Sequence, residues 1–277
     1  MTSQSLKKTF DELKKRGETA LITYTVAGDP DKETSLEILK SISKSGANII
    51  EIGLPHNTPI GDGKEIQNSA HRAISNGIQV KDLFDIIEDF KRNYSTDIII
   101  MTYYNMILQF GPDNFINECR RTKVSGIICV DLPWPENKEI AEKCKNNSIS
   151  FIQLVAPTTS KERLNEIIKD SHEMIYYISM LTTTGGDLKS TPEEILKNYN
   201  EVKSTNPNKK YVIGFGITEN TIFELKSADG LVVGSALCKE ITNSIKNRQN
   251  PVTNVANMVI KLKNKKGYKK KTYKRRY

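Results

Sequence analysis

Residues 48–63 read Asn48-Ile-Ile-Glu51-Ile-Gly53-Leu-Pro55-His56-Asn57-Thr58-Pro-Ile-Gly61-Asp62-Gly63. The stretch opens on apolar β-branched residues, breaks at Gly53 and Pro55, and leads into a helical pattern over 64–76. It therefore reads as strand, loop and helix, with one carboxylate at the strand's C-terminal end and a second eleven residues on. A short strand that is apolar on successive residues is buried on both faces, as in parallel sheets.

The same unit recurs on both sides. Apolar runs at 21–25, 97–101, 126–130, 150–154, 175–178, 211–213 and 231–233 make seven further strands beside 48–51. Between them lie amphipathic patterns: Leu83, Ile86, Ile87 and Phe90 fall at i, i+3, i+4, i+7, and Leu164, Ile167 and Ile168 repeat the spacing. Asp29-Pro30 precedes the first of these helices, and Thr191-Pro192-Glu193-Glu194 opens the sixth. An extra helix over 5–16, with Leu6, Phe10 and Leu13 inward, comes before the first strand. Eight strands with intervening helices in about 250 residues is the count of an α/β fold closed as a single (β/α)8 TIM barrel. An open doubly wound sheet gives the same alternation. No Pro/Gly/Ser linker divides the chain and no short-period repeat is present, so one barrel domain is expected over 1–260.

The 277 residues carry a formal net charge of +8, but the charge is not evenly spread. Residues 261–277 hold ten Lys/Arg and no Asp/Glu, which leaves 31 basic against 33 acidic residues in 1–260. The basicity belongs to a C-terminal tail, expected to be disordered, and not to the folded body. Such tails with interleaved Tyr bind nucleic acid or anionic surfaces in some proteins, yet the body itself has no charge that calls for a nucleic-acid partner. A mean hydropathy of −0.48 with no apolar run near 18 residues excludes a spanning helix, so no membrane is expected. Cys119, Cys129, Cys144 and Cys238 are scattered without a C-x-x-C, and His56, His71 and His172 are equally dispersed. That pattern fits a reducing compartment and predicts neither a disulfide framework nor a metal site.

Two sets of residues carry chemistry. Gly214 and Gly216 end the seventh strand in Ile213-Gly-Phe-Gly-Ile217, and Gly234-Ser235 ends the eighth and opens a helix. Glycines on the loops after strands seven and eight of a barrel, with a helix N-terminus, make a phosphate cradle; alternatively they serve tight turns needing positive φ. Glu51 and Asp62 are the other set. A carboxyl in apolar surroundings keeps its proton near neutrality, whereas one flanked by glycines stays ionised, so the two are expected to split acid and base roles. Otherwise Asp62 caps the helix at 64–76 and Glu51 pairs with a lysine.

At these residues the chain resembles the tryptophan synthase α-subunit family. The segment Glu51-Ile-Gly-Leu-Pro…Pro59-Ile-Gly-Asp62-Gly-Lys-Glu-Ile-Gln67 is similar to that family's signature. So are Thr25-Val-Ala-Gly-Asp29-Pro30, Tyr103-Tyr-Asn105, Val130-Asp131-Leu-Pro133, Ala156-Pro157-Thr158, Tyr176…Ser179…Thr184-Gly185, Gly214-Phe-Gly216 and Gly234-Ser235. The ordered motifs run through nearly all of 5–260. By resemblance the fold is the barrel and not the open sheet.

The resemblance implies retro-aldol cleavage of indole-3-glycerol phosphate to indole and glyceraldehyde 3-phosphate, with no cofactor in this subunit. It makes Glu51 the proton donor at the indole C3 and sets Asp62 against the indole N–H. Tyr176 and Thr184 match substrate-positioning residues, and Gly185, Gly214, Gly216, Gly234 and Ser235 match the phosphate cradle. A β subunit carrying pyridoxal phosphate is the implied partner, in an α2β2 complex. The family usually has Phe-Ser-Asp where this chain has His56-Asn57-Thr58, Pro at Lys64, and Gly-Val-Thr-Gly where it has Thr182-Thr183-Thr184-Gly185. These differences fall in the second and sixth loops, which by the resemblance close the site and meet the β subunit. Two other classes predict different behaviour. One is another phosphate-binding barrel enzyme, such as an indole-3-glycerol phosphate synthase or a sugar-phosphate isomerase. The other is an anion- or RNA-associated protein working through its tail. The N-terminal MTSQSLKKTFDEL does not resemble a transit peptide, so the expected setting is a bacterial cytoplasm, or the stroma if the chain is plastid-encoded.

Overall fold

The computed structural model describes residues 4–179, 191–214, 217, 219 and 221–267. Within them the strands are β1 (Ala20–Val26), β2 (Ile49–Gly53), β3 (Asp97–Thr102) and β4 (Gly126–Cys129). The fifth, β5, lies in two pieces, Ser150–Phe151 and Gln153–Val155, and is followed by β6 (Met174–Ile178), β7 (Lys210–Gly214) and β8 (Gly230–Val233). All neighbours pair in parallel, β1 with both β2 and β8. The first piece of β5 pairs with β4 and the second with β6. One strand interrupted at Ile152 thus joins the two ends of the sheet, and the ring closes. The barrel, not the open sheet, is the fold.

Side chains along each strand alternate between two clusters. Ile22, Ile49, Ile99, Ile128, Ile152, Met174, Val212 and Val232 point into the barrel. Leu21, Ile50, Ile98, Ile127, Phe151, Ile175, Tyr211 and Leu231 point out against the helices. Both faces of every strand are therefore dry, which is why the strands read as unbroken apolar runs. The helices that return the chain are α2 (Lys32–Lys44), α3 (Lys64–Ser75), α4 (Val80–Lys91), α5 (Tyr104–Phe110), α6 (Pro112–Arg121), α7 (Lys138–Asn146), α8 (Lys161–Asp170), α9 (Pro192–Thr205), α10 (Ser235–Lys246) and α11 (Pro251–Gly267). The periodic residues of α4 and α8 are all buried, and Thr191 forms the capping box of α9 with Glu194.

The extra helix, α1 (Gln4–Arg16), closes the N-terminal end of the barrel. Leu6, Phe10 and Leu13 sit in the same cluster as the interior strand residues and are at most 3% exposed. Each such burial contributes about 1.5–3 kcal/mol. The helix is pinned by polar contacts as well. Ser5 Oγ donates to Asp97 Oδ1, Thr9 Oγ1 donates to Asp97 Oδ2 at 2.6 Å, and Ser125 Oγ donates to Asp97 Oδ1 at 2.6 Å.

At the other end of the chain, the expected boundary between body and tail at 260/261 falls inside α11. That helix continues to Gly267, with Leu262 only 1% exposed and an ion pair of 2.8 Å from Lys265 to Glu219.

Candidate active site

Glu51 enters the barrel interior from the middle of β2, which runs on to Gly53 beyond the expected strand end, in register with Tyr24 of β1 and Ile99 of β3. The side chain is 1% exposed, and neither carboxylate oxygen has a hydrogen-bond partner among the described residues. Among the described residues no lysine pairs with it. An ionised carboxylate left bare in such a place is costly, so the proton stays on. Burial, with a further push from the negative charge of Asp62, raises the Glu51 carboxyl to about 8.

Asp62 lies on the loop between β2 and α3 and is half-buried. It does not cap α3. Gly63 is the N-cap residue, with no side-chain bond, so the capping reading of Asp62 fails. The carboxylate instead accepts a hydrogen bond from the Tyr103 hydroxyl at 3.2 Å. That hydroxyl in turn accepts the Gly61 N–H at 3.1 Å. Burial pushes Asp62 up to about 6, opposed by the Tyr103 hydrogen bond and by the charge of His56. Around neutral pH the two carboxyls therefore sit in opposite states, Glu51 protonated and Asp62 ionised.

Three aromatic residues frame this pair, and the sequence reading had assigned a role to only one, Tyr176. Tyr24 and Tyr176, both buried, have hydroxyls raised by burial and by the charges of Asp62 and Glu51. Tyr103 is raised by burial and by Asp62. Tyr24 and Tyr103 carry no signal separable from core tyrosines in a single sequence, except that Tyr24 lies in the C-terminal half of the first strand and Tyr103 follows the third.

The glycines have a reason neither reading foresaw. A Cβ on Gly214 would lie 2.0 Å from the Tyr176 hydroxyl oxygen, and one on Gly53 would lie 2.1 Å from that of Tyr24. Gly234 stands 3.1 Å from the Tyr24 Cβ by the same measure. None of the three has positive φ, so the turn argument does not hold for Gly214 or Gly234. Gly53 and Gly214 are glycine because tyrosine rings cross them, and at Gly234 the Tyr24 side chain leaves only tight room. Gly234 is also the N-cap of α10, without a side-chain bond, and Ser235 is exposed at the first helical position. The first peptide N–H groups of that helix lie ahead of any intrahelical acceptor, while those of Leu237 and Cys238 donate to the Gly234 carbonyl. Thr184, Gly185 and Gly216 lie outside the described residues.

The rim is braced from behind. Arg72 of α3 makes two 2.8 Å hydrogen bonds to Asp29, which is 1% exposed, and a 2.9 Å bond to Thr242 of α10. The loop after β1, the helix after Asp62 and the helix after Gly234 are thus tied at one guanidinium. A cleft of about 850 Å³ near the N-terminal end, lined by Lys91, Arg92, Arg120 and Lys123 among others, is remote from both carboxyls. Among the described residues no group of three or more His, Cys, Asp or Glu is arranged to hold a metal ion. No helix there is long and apolar enough to cross a membrane.

A closed parallel barrel with a buried neutral acid, a facing carboxylate and a glycine-opened helix end on its C-terminal rim is an acid–base (β/α)8 enzyme. The family model described as tryptophan synthase alpha chain matches residues 10–267. The tryptophan synthase alpha chain of Pelagibacter ubique (strain HTCC1062) is 62% identical over 257 residues, 92% of this chain and 97% of that one. That of Petrotoga mobilis (strain DSM 10674 / SJ95) is 42% identical over 80% of this chain and 86% of its own. Among solved structures, the alpha subunit of tryptophan synthase from Legionella pneumophila superposes with a TM-score of 0.87 at 28% identity, covering 94% and 97% of the two chains. A structure of the tryptophan synthase α2β2 complex from Pyrococcus furiosus gives 0.80 at 35% identity, covering 89% and 98%. The chain belongs to the tryptophan synthase alpha chain family. It is a lyase of tryptophan biosynthesis, catalysing the half-reaction that cleaves indole-3-glycerol phosphate.

Proposed function

We propose that Glu51 donates the proton to C3 of the indole ring and that Asp62 accepts the indole N–H, stabilising the positive charge that develops on the ring. The observation that carries this is the bare, buried Glu51 carboxyl, held neutral beside an ionised partner. Protonation makes the ring an electron sink. The bond between C3 and the glycerol side chain then breaks, its electron pair re-forms the indole, and the side-chain hydroxyl becomes the aldehyde of glyceraldehyde 3-phosphate. The hydroxyl proton returns to the Glu51 carboxylate, so the acid is regenerated.

Tyr176 and Thr184 position the ring in this reading. The phosphate goes to the N-terminus of α10 at Gly234 and Ser235, with Gly185 and Gly216 as further members of the cradle. Gly214 contributes by admitting the Tyr176 ring. The chain works as part of an α2β2 complex whose pyridoxal phosphate sits in the β subunit, and no step here draws on it. The division of the chain into a barrel and a basic tail, and a setting in the cytoplasm or plastid stroma, complete the proposal.

The test is turnover of indole-3-glycerol phosphate across pH. The acid must be protonated and the base ionised, so kcat/KM should trace a bell with limbs near 6 and 8, macroscopic values belonging to the pair. Glu51→Gln and Asp62→Asn should each lose several orders of magnitude in kcat. If either keeps more than about a tenth of it, a deficit of only ~1.4 kcal/mol, the role assigned to that residue is wrong.

A further inference from the structure

His56 stands beside the Asp62 carboxylate, where the resemblance implies a Phe, and the structure gives it two contacts. Its ring stacks on Tyr103, with centroids 4.7 Å apart and planes at 23°. Its Nδ1 accepts the Thr58 N–H at 3.1 Å. An acceptor at Nδ1 means the neutral ring carries its hydrogen on Nε2. Tyr103 is the residue whose hydroxyl donates to Asp62 and accepts from Gly61. One stacked pair therefore holds three points of the loop after β2: Thr58 through the imidazole, and Gly61 and Asp62 through the phenol. A Phe at 56 supplies the stack and not the anchor at Thr58.

We propose that His56 is a positioning residue of this site, holding the Tyr103 hydroxyl on Asp62 by stacking and fixing the loop at Thr58 through Nδ1. It acts through Tyr103 and the loop backbone, not on the reacting carbon or Glu51. The proposal rests on Asp62 being the group that meets the indole N–H.

Two substitutions separate the contacts. His56→Asn keeps an oxygen where Nδ1 was, able to accept the Thr58 N–H in an Asx-type turn, and removes the ring. His56→Phe keeps the ring and removes the acceptor. The Asp62 carboxyl is followed by its 13C resonance as a function of pH in the full-length protein, without substrate. Tyr103 holds Asp62 down, so freeing Tyr103 should move the Asp62 midpoint upward. Both variants remove the imidazole alike, so whatever it contributes directly at Asp62 cancels between them. The Asn variant should therefore shift the midpoint up by about half a unit more than the Phe variant does. That difference should vanish in a Tyr103→Phe background, where there is no hydroxyl left to place.

In turnover, the Asn variant should lose kcat. The Phe variant should keep kcat within about twofold and raise KM, because the loop is no longer held at Thr58. Equal midpoints for the Asn and Phe variants, or a difference that survives Tyr103→Phe, overturns the proposal. So does a Phe variant with unchanged KM. If His56→Asn fails to fold, His56→Gln replaces it with the same expected order. Should the unmodified protein fail to turn over indole-3-glycerol phosphate, the functional reading falls while the Asp62 titrations still judge His56.

Discussion

Glu51 and Asp62 differ by what surrounds them and not by what they are. One side chain enters a barrel interior among isoleucines and tyrosines, and the other rests on a half-exposed loop within reach of a phenol. The difference has a consequence for stability that is independent of catalysis. Folding raises the Glu51 carboxyl from 4.5 to about 8. The folded state therefore binds this proton more tightly than the unfolded state. Its contribution is complete below about pH 4.5 and is lost as pH rises through about 8. Glu51→Gln, which cannot ionise, should unfold at a higher denaturant concentration than the parent at pH 9, and at nearly the same concentration at pH 5. The gain at pH 9 is on the order of a few kcal/mol at most. Denaturant titrations at the two pH values check it, and a gain of equal size at both would show that the buried charge is not the cause. Both carboxyls were legible in the sequence as an acidic residue closing an apolar strand and another between glycines. Their opposite protonation was legible only as an expectation. The partner that fixes Asp62, Tyr103, follows the third strand, forty-one residues on.

The elements of the rim owe their glycines to side chains crossing from neighbouring strands. Gly214 ends β7, and the Tyr176 ring of β6 lies where a Cβ would be. Gly214→Ala should therefore be destabilised by about 1–3 kcal/mol through overpacking, even though alanine suits the strand backbone. The penalty should largely disappear when Tyr176→Ala is made as well, since the two act on one space. Thermal or denaturant unfolding of the single and double variants measures it. An unchanged penalty in the double variant would return Gly214 to a purely backbone role. The glycine pattern itself was visible in the sequence, and so was a phosphate reading for it. Which ring fills which gap depends on strand register, and register is set by the pairing of distant segments. Capping signals fared differently because they are local: the Thr191–Glu194 box lies within four consecutive residues, and it forms as written.

In the whole molecule, the second loop bears on coupling to a β subunit. Thr58 stands in the second loop where the resemblance to the family implies an acid, and it is exposed beside His56. By that resemblance, one charged contact to the partner is missing here. Exposed pairs are individually worth about 1 kcal/mol or less, so a complex should form while activation is weaker than in a relative carrying the acid. A partner shifts the loop only by its differential affinity for the closed state. Thr58→Asp should recover part of the activation by such a relative's β subunit, and the recovery should shrink as salt is raised. Turnover of indole-3-glycerol phosphate against β-subunit concentration, at two ionic strengths, gives the answer. Superimposable curves for parent and variant would show that this position does not limit coupling.

The order of eight strands and their helices, the inward face of α1 and the two carboxyls at the second strand were all readable from one sequence. Each depends on residue type and on spacings of a few residues, which the chain states directly. Tertiary structure decided what no local spacing contains. It closed the ring, by splitting β5 between β4 and β6 at Ile152. It anchored α1 on Asp97 through Ser5 and Thr9, residues some ninety positions apart. It also left Glu51 without a partner while giving Asp62 the Tyr103 hydroxyl. The physical reason is common to all three. Burial, and the pairing or isolation of a polar group within it, are properties of segments brought together from across the chain, and they exist only once the barrel has closed.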